Sequence, residues 1–305
     1  MTIRSKITAF LLAALALLAS PLSGHAESGP ADAPQKHFLW KVTGSKGTVY
    51  LFGTVHLGSP DFYPLPAIIE DSFKRADTLV EEIKITPSDI AQMERWVIQH
   101  GIYSGSDTIS DHLSEETNRH LQIYLKQQSW LEQQVITKMR PWAVAIMVTE
   151  ANSKRLGLDP ENGLDKHFLK EAEEQHKPVE ALETIASQLQ FLGELTSDQE
   201  ENYLMQTLAE SENPTSHLEV LVNAWREGDS EKMRELLSRS ASNDPKSKVL
   251  MKTLLDDRND AMTKQIEQFL GTRKTYFVAV GAGHMLGEHG IVSQLQAKRF
   301  TVRQL

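Results

Sequence analysis

Two short segments near opposite ends of the chain share one plan, and any fold of this chain has to accommodate both. Thr48 to Gly58 (TVYLFGTVHLG) and Thr275 to Gly287 (TYFVAVGAGHMLG) each run from an apolar stretch into a glycine, two further residues and a histidine. Both stretches are rich in β-branched and aromatic residues and stop at Gly53 and Gly281, which predicts buried strands ending in turns. His56 and His284 then lie just past the strands' carboxyl ends, the edge at which open α/β sheets bind ligands. If the two strands share a sheet, the two imidazoles converge on one site, which we read as a metal centre.

The remainder of the chain is organised around that pair. Residues 1–26 read as an export signal: Arg4 and Lys6 are basic, Ile7 to Ala19 supplies an apolar run of about 12 residues, and Gly24-His25-Ala26 is a small-x-small cleavage site. The run is shorter than the ~18–20 residues that span a bilayer, so the expectation is an exported, periplasmic or secreted product with no membrane anchor after cleavage. Residues 27–36 read as a linker, and residues 37–305 as one domain with a helical insert over about 86–270. His37 to Val42 and Thr48 to Phe52 predict a hairpin around Thr43-Gly44-Ser45-Lys46-Gly47.

A short helix is expected over Ala67–Arg75, followed by a strand over Thr78–Ile85 lying parallel beside the hairpin. That strand carries Glu81 and Glu82, which alternation places on opposite faces, so only one can face His56. The bland alternative leaves both solvated on an edge. Helices follow, with Ser88 expected to cap the first, Ser114 the next, and Pro141 opening a third. Lys177 to Glu183 predicts a strand returning to the sheet. A helix from about Val249 to Leu270 carries Arg258, and the chain closes on the second motif, a helix and a terminal strand from Phe300 to Leu305. The fold class is thus α/β, a mixed sheet formed by N- and C-terminal strands with a large helical middle region.

Composition narrows the chemistry. The net charge is −9 and there is no cysteine. An acidic surface argues against a nucleic-acid partner, and the missing thiols exclude cysteine nucleophiles and cysteine-bound metals. Any ion must be held by histidine, carboxylate or water.

Taken in order, Gly53-Thr54-Val55-His56, Leu79-Val80-Glu81-Glu82, Arg140-Pro141-Trp142, Gly163-Leu164-Asp165, Leu182-Glu183-Thr184, Ala224 to Asp229, Arg258-Asn259 and Gly281-Ala282-Gly283-His284 resemble the TraB/GumN family. That family also includes pheromone-shutdown proteins and the Tiki proteases. The resemblance covers about Phe38 to Leu305. It implies a fold akin to erythromycin-esterase-like and haem-binding ChaN-like proteins. In the Tiki branch it further implies a metal-dependent peptidase site made from both motif histidines and the strand glutamate, here His56, His284 and Glu82. The chain departs from the common pattern at Lys84, where an acid is frequent.

Two imidazoles and one carboxylate leave open positions on a divalent ion such as Mn²⁺, Co²⁺ or Zn²⁺, where a water is acidified for attack on a carbonyl. Hydrolysis of a peptide or protein substrate fits that chemistry. Arg258 enters as a catalytic candidate, and Glu183 and Arg258 read equally as groups supporting the ligands or the oxyanion and as a core salt bridge. The competing function is a non-catalytic binding protein for haem, metal or a cell-surface component. In that reading the Phe62-Tyr63-Pro64 loop walls an apolar haem pocket.

Overall fold

A computed structural model of the chain describes residues 35–212, 217–242, 249 and 252–305. The candidate export signal, most of the linker and the expected break at Asn243-Asp244-Pro245 lie outside the described residues. Six strands form one mixed sheet: β1 (Leu39–Thr43), β2 (Thr48–Thr54), β3 (Thr78–Ile83), β4 (Val179–Glu183), β5 (Thr275–Gly281) and β6 (Thr301–Gln304). The helices, in chain order, are α1 (Ala67–Arg75), α2 (Pro87–His100), α3 (Glu115–Leu125), α4 (Trp130–Ile136), α5 (Pro141–Arg155) and α6 (Leu164–Glu174). They continue with α7 (Ile185–Gly193), α8 (Ser197–Ser211), α9 (His217–Arg226), α10 (Ser230–Ser242), α11 (Asp257–Leu270) and α12 (Ile291–Ala297).

The strand order is β4-β3-β5-β2-β1-β6. β1 and β2 form the expected antiparallel hairpin, while β2, β5 and β3 run parallel. The expectation that β3 lies beside the hairpin is corrected: β5 is inserted between β2 and β3. The physical reason is burial on both faces. Every residue of β5 from Tyr276 through Gly281 is buried, which suits a central parallel strand.

A second correction follows for the glutamates. β3 is interior rather than an edge, and both Glu81 and Glu82 are buried. The cap of α2 also differs: Thr86, not Ser88, is the N-cap, and its side chain pairs reciprocally with Asp89 while Pro87 takes the first helical position.

Two apolar clusters fill the interior. Around the sheet, α1 and α6 bring Phe73 and Phe168 onto Phe52 of β2 and Phe277 of β5, with ring centroids 4.8–5.6 Å apart. Met262, Ile266 and Leu270 of α11 join the same cluster. The other cluster is helical, built from Met93 of α2, Leu121 of α3, Trp142 and Ile146 of α5, Leu189 of α7 and Leu204 of α8. Side chains from both meet at the carboxyl end of β3, where Ile83 packs into the helical cluster and Leu79 and Val80 into the sheet cluster.

Candidate metal centre

Parallel pairing fixes where the site falls. Thr54 pairs with Gly281, and Glu81 with Ala279, so β2, β5 and β3 end at the same edge of the sheet. His56 follows β2 by two residues. His284 follows β5 within a short 3₁₀ turn, Ala282–Met285. Glu82 projects from the carboxyl end of β3, on the face opposite Glu81.

Each imidazole is oriented through Nδ1. The Nδ1–H of His56 donates to Asp165 Oδ2 at 2.7 Å, and the other oxygen of Asp165 accepts from the Thr54 hydroxyl at 2.7 Å. Asp165 reaches this position because the chain around His56 is pressed backbone to backbone on the start of α6. Gly58 and Asp159 exchange backbone hydrogen bonds of 3.1 and 2.7 Å, and Leu164 N–H donates to Val55 O. A Cβ at Gly163 would stand 2.2 Å from His56 O, and one at Gly58 would stand 1.8 Å from Asn162 O, so the approach requires glycine on both sides.

On the other side, His284 Nδ1 lies 2.7 Å from Asn259 Oδ1. Asn259 Nδ2 donates to His289 O, an obligate acceptor, which fixes the amide and makes His284 Nδ1 the donor. The remaining nitrogen, Nε2, therefore carries the lone pair. It is buried and has no hydrogen-bond partner.

Glu82 is pinned through one oxygen. Oε1 accepts from Arg258 Nη2 at 2.5 Å and from Gln188 Nε2 at 3.0 Å. Oε2 faces the two imidazoles, 4.0 Å from His56 Nε2 and 3.9 Å from His284 Nε2, with Gly281 N–H at 3.3 Å. Arg258 is shared: Nε and Nη2 also donate to Glu183 at 2.9 and 2.6 Å, and Nη1 to Leu254 O. With its donors consumed by carboxylates and a carbonyl, Arg258 acts here as a counter-ion for Glu82 and Glu183. A single π-helical turn, Lys252–Asp256, precedes α11, whose first turn carries Arg258, facing Glu82 and Glu183, and Asn259, facing His284.

The charges follow from this packing. Burial would raise the Glu82 carboxyl, but Arg258 and the imidazoles hold it below the usual carboxylate range. Burial pushes His284 down to about 3, so it is neutral and leaves Arg258 and His56 to carry that effect. For His56 burial also works against the charge, but Asp165 and then Glu82 outweigh it and raise the imidazole to about 9.

Two imidazole nitrogens and one carboxylate oxygen are donors of the chemistry that a divalent cation takes. Nε2 of each imidazole lies about 4 Å from Glu82 Oε2 beside Gly281, where an added Cβ would stand 3.3 Å from His56 Nε2, 3.6 Å from Glu82 Oε2 and 3.6 Å from His284 Cδ2. Ligand bonds of about 2.0–2.2 Å at a tetrahedral angle place donors about 3.4 Å apart. The separations of 4.0 and 3.9 Å are wider than this, and as placed no group of three His, Asp or Glu side chains among the described residues stands at ligand spacing. A side-chain adjustment of about 0.5 Å closes the difference, within what ordinary rotamer wells allow.

Asp165, Asn259, Gln188 and Thr54 were not singled out as site residues by the sequence. Asp165 carries a partial signal, an acid directly after a helix-opening Gly-Leu. Gln188 carries none.

Glu81 lies on the other face of β3 yet is no neutral bystander. It is buried, its Oε1 has no partner, and burial, then Asp165 and Glu82, push its carboxyl well above the ordinary range. The unfolded chain ionises this group near ~4.3. The folded protein keeps it neutral above that pH, so the stability it allows is present below ~4.3 and is lost as pH rises toward the folded value. Glu81→Gln is expected to melt like wild type at pH 4 and to be more stable by about 1–3 kcal/mol at pH 7. Thermal melts across that range check it, and a gain independent of pH would assign the effect to packing.

The loop expected to wall a haem pocket is otherwise engaged. Phe62 stacks on Trp225 with centroids 5.3 Å apart, and Trp225 Nε1 donates to Gly53 O. Asp61, Phe62, Pro64 and Leu65 line a separate cleft with Trp225 and Arg226, and neither His56, Glu82 nor His284 borders it.

Fold and site together define a class: α/β proteins whose polar centre is assembled from strand ends contributed by both termini. The chain belongs to the TraB/PrgY/gumN family, which it matches over residues 38–304. It is 27% identical to the uncharacterized protein YbaP of Escherichia coli (strain K12), over 81% of this chain and 87% of that one. Identity to YbaP of Shigella flexneri is also 27%, covering 85% of this chain and 94% of that protein. Metalloprotease TIKI1 of Danio rerio is 24% identical over 87% of this chain, which spans 62% of that protein. No solved structure matches the chain.

Proposed function

We propose that this protein is a metal-dependent hydrolase acting on peptide bonds, with His56, His284 and Glu82 as the metal-holding residues. The observation that carries the reading is the buried, unpartnered Nε2 of His284, which faces the same oxygen of Glu82 as His56 Nε2. A buried nitrogen lone pair without a donor is costly, and a cation satisfies it together with Oε2 of Glu82, the oxygen that Arg258 and Gln188 leave free. The relationship to proteins named metalloproteases points in the same direction.

When bound, Mn²⁺, Co²⁺ or Zn²⁺ supplies Lewis acidity and an activated water for attack on a carbonyl. The chain's own residues do the rest. Arg258 and Gln188 keep Glu82 ionised and turn one oxygen toward the site. His284 and Glu82 are almost wholly buried, whereas the His56 and Asp165 side chains are 13% and 22% exposed, so a peptide or protein substrate approaches over the His56 rim.

We place the enzyme outside the cytoplasm, because residues 1–26 have the composition of an export signal. Among the described residues no helix is long and apolar enough to cross a membrane.

Calorimetric titration with Mn²⁺, Co²⁺ and Zn²⁺, beside turnover of a peptide library, tests the proposal. Wild type is expected to bind one ion per chain, and His56→Ala and His284→Ala to lose both binding and turnover. Unchanged affinity in both variants would show that the histidines serve packing alone.

A further inference from the structure

The two imidazoles are held by partners of different chemistry. His56 Nδ1 donates to a carboxylate, and that carboxylate's second oxygen is held by Thr54, the residue after the glycine of the first motif. His284 Nδ1 donates to an amide. The amide is not interchangeable with a carboxylate, because Asn259 must also donate to His289 O at 3.0 Å, where an aspartate would set two acceptors against each other. The second motif offers no counterpart to Thr54, since Ala282 stands in the equivalent place after Gly281.

We propose that Asp165, braced by Thr54, is a positioning residue that makes His56 the stronger, charge-assisted donor of the centre, while Asn259 holds His284 as a weaker, neutral one. The inference rests on the metal-binding reading above and adds to it an order among the ligands. A hydrogen bond from the far ring nitrogen to an anion fixes the tautomer, aims the ring and raises the basicity of the facing nitrogen. A neutral amide does the first two with little of the third. Exposure runs the same way: His56 and Asp165 form the open rim, and His284 is 1% exposed. The stronger donor thus stands on the side from which solvent and substrate arrive, and the weaker one anchors the closed side.

The test uses full-length processed protein with Co²⁺ as the probe. Asp165→Asn keeps the shape and removes the charge, and Thr54→Val releases one carboxylate oxygen. Asp165→Asn is expected to weaken Co²⁺ binding about 10- to 100-fold and to displace the Co²⁺ visible absorption band, with Thr54→Val acting in the same direction by less. In ion-free protein labelled with ¹⁵N-histidine, the His56 Nδ1–H proton is expected downfield of that of His284 and to move upfield in Asp165→Asn, while the His284 signal stays. Thermal melts of each variant separate these effects from misfolding. Wild-type protein that binds Co²⁺ no more tightly, and with no different band, than folded Asp165→Asn would overturn the inference. Wild-type protein that binds no ion would instead overturn the metal-binding reading, with the proton signals still reporting on the inequality of the two rings.

Discussion

Arg258→Ala is expected to cost about 3–5 kcal/mol of stability at pH 7, because it strands the partners of a buried ion pair. In the native protein one guanidinium serves both Glu82 and Glu183, and all three side chains are nearly inaccessible to water. Deleting it leaves two carboxylates close together with only the Gln188 amide between them. The pH dependence identifies the cause. The depressed Glu82 carboxyl contributes stability that is present above its unfolded value of ~4.3 and is lost as pH falls toward the folded one. Arg258→Ala removes that contribution, so the gap between variant and wild type should narrow as pH falls from 7 to about 3.5. Denaturant unfolding at the two pH values measures it, and an equal gap at both would make Arg258 a packing residue. Ion binding should fall as well, since Oε2 of Glu82 is no longer aimed. Changes at Glu82 or Arg258 are therefore expected to lower stability and function together.

Gly163→Ala is the other large effect. Its new Cβ would meet His56 O at 2.2 Å and His56 C at 3.0 Å, and neither atom belongs to a side chain that can swing aside. Relief requires α6 to move away from the chain at residues 55–58, breaking the hydrogen bond from Leu164 N–H to Val55 O and separating Asp165 from His56. Overpacking a site that can yield costs about 1–3 kcal/mol. With backbone on both sides the expected loss is at least about 3 kcal/mol. Gly283→Ala is the matched comparison, because a Cβ there meets only side chains, the nearest being Leu255 at 3.5 Å. Chemical denaturation of the pair provides the measurement, and equal stability would mean that the loop can move away from α6 at little cost.

Where a local pattern decided an element, the sequence was a good guide. The hairpin strands, α1 over Ala67–Arg75, the proline-opened α5 and the closing strand are all set by turn residues, caps or alternation within a few positions. Convergence of the two Gly-x-x-His segments on one sheet edge was also legible, because both strands carry the same apolar pattern with the histidine at the same offset. The place of β5 was not. Nothing in Thr78–Ile83 or Thr48–Thr54 records which strand lies between them, since pairing partners are chosen by burial over the whole sheet. The same limit hid Asn259 and Gln188, whose roles exist only through contacts with residues far along the chain. Asp165 stood in a recognisable Gly-Leu-Asp, but its partner became visible only once Gly58 and Gly163 were seen to press two segments of backbone together.

The central position of β5 governs how the molecule comes to exist. Synthesis delivers β1 to β4 first, and until residues 275–281 emerge the hairpin and the β3–β4 pair have no strand to join them. Pairing strands this far apart along the chain meets its loop-closure entropy before its contacts form, and such non-local pairings are intrinsically slow. During that interval β2 and β3 both present open apolar edges to the surroundings. The helical cluster of α2 to α8 needs no part of β5, but the polar centre does: it is complete only when β5 enters the gap between β2 and β3 and brings His284 with it.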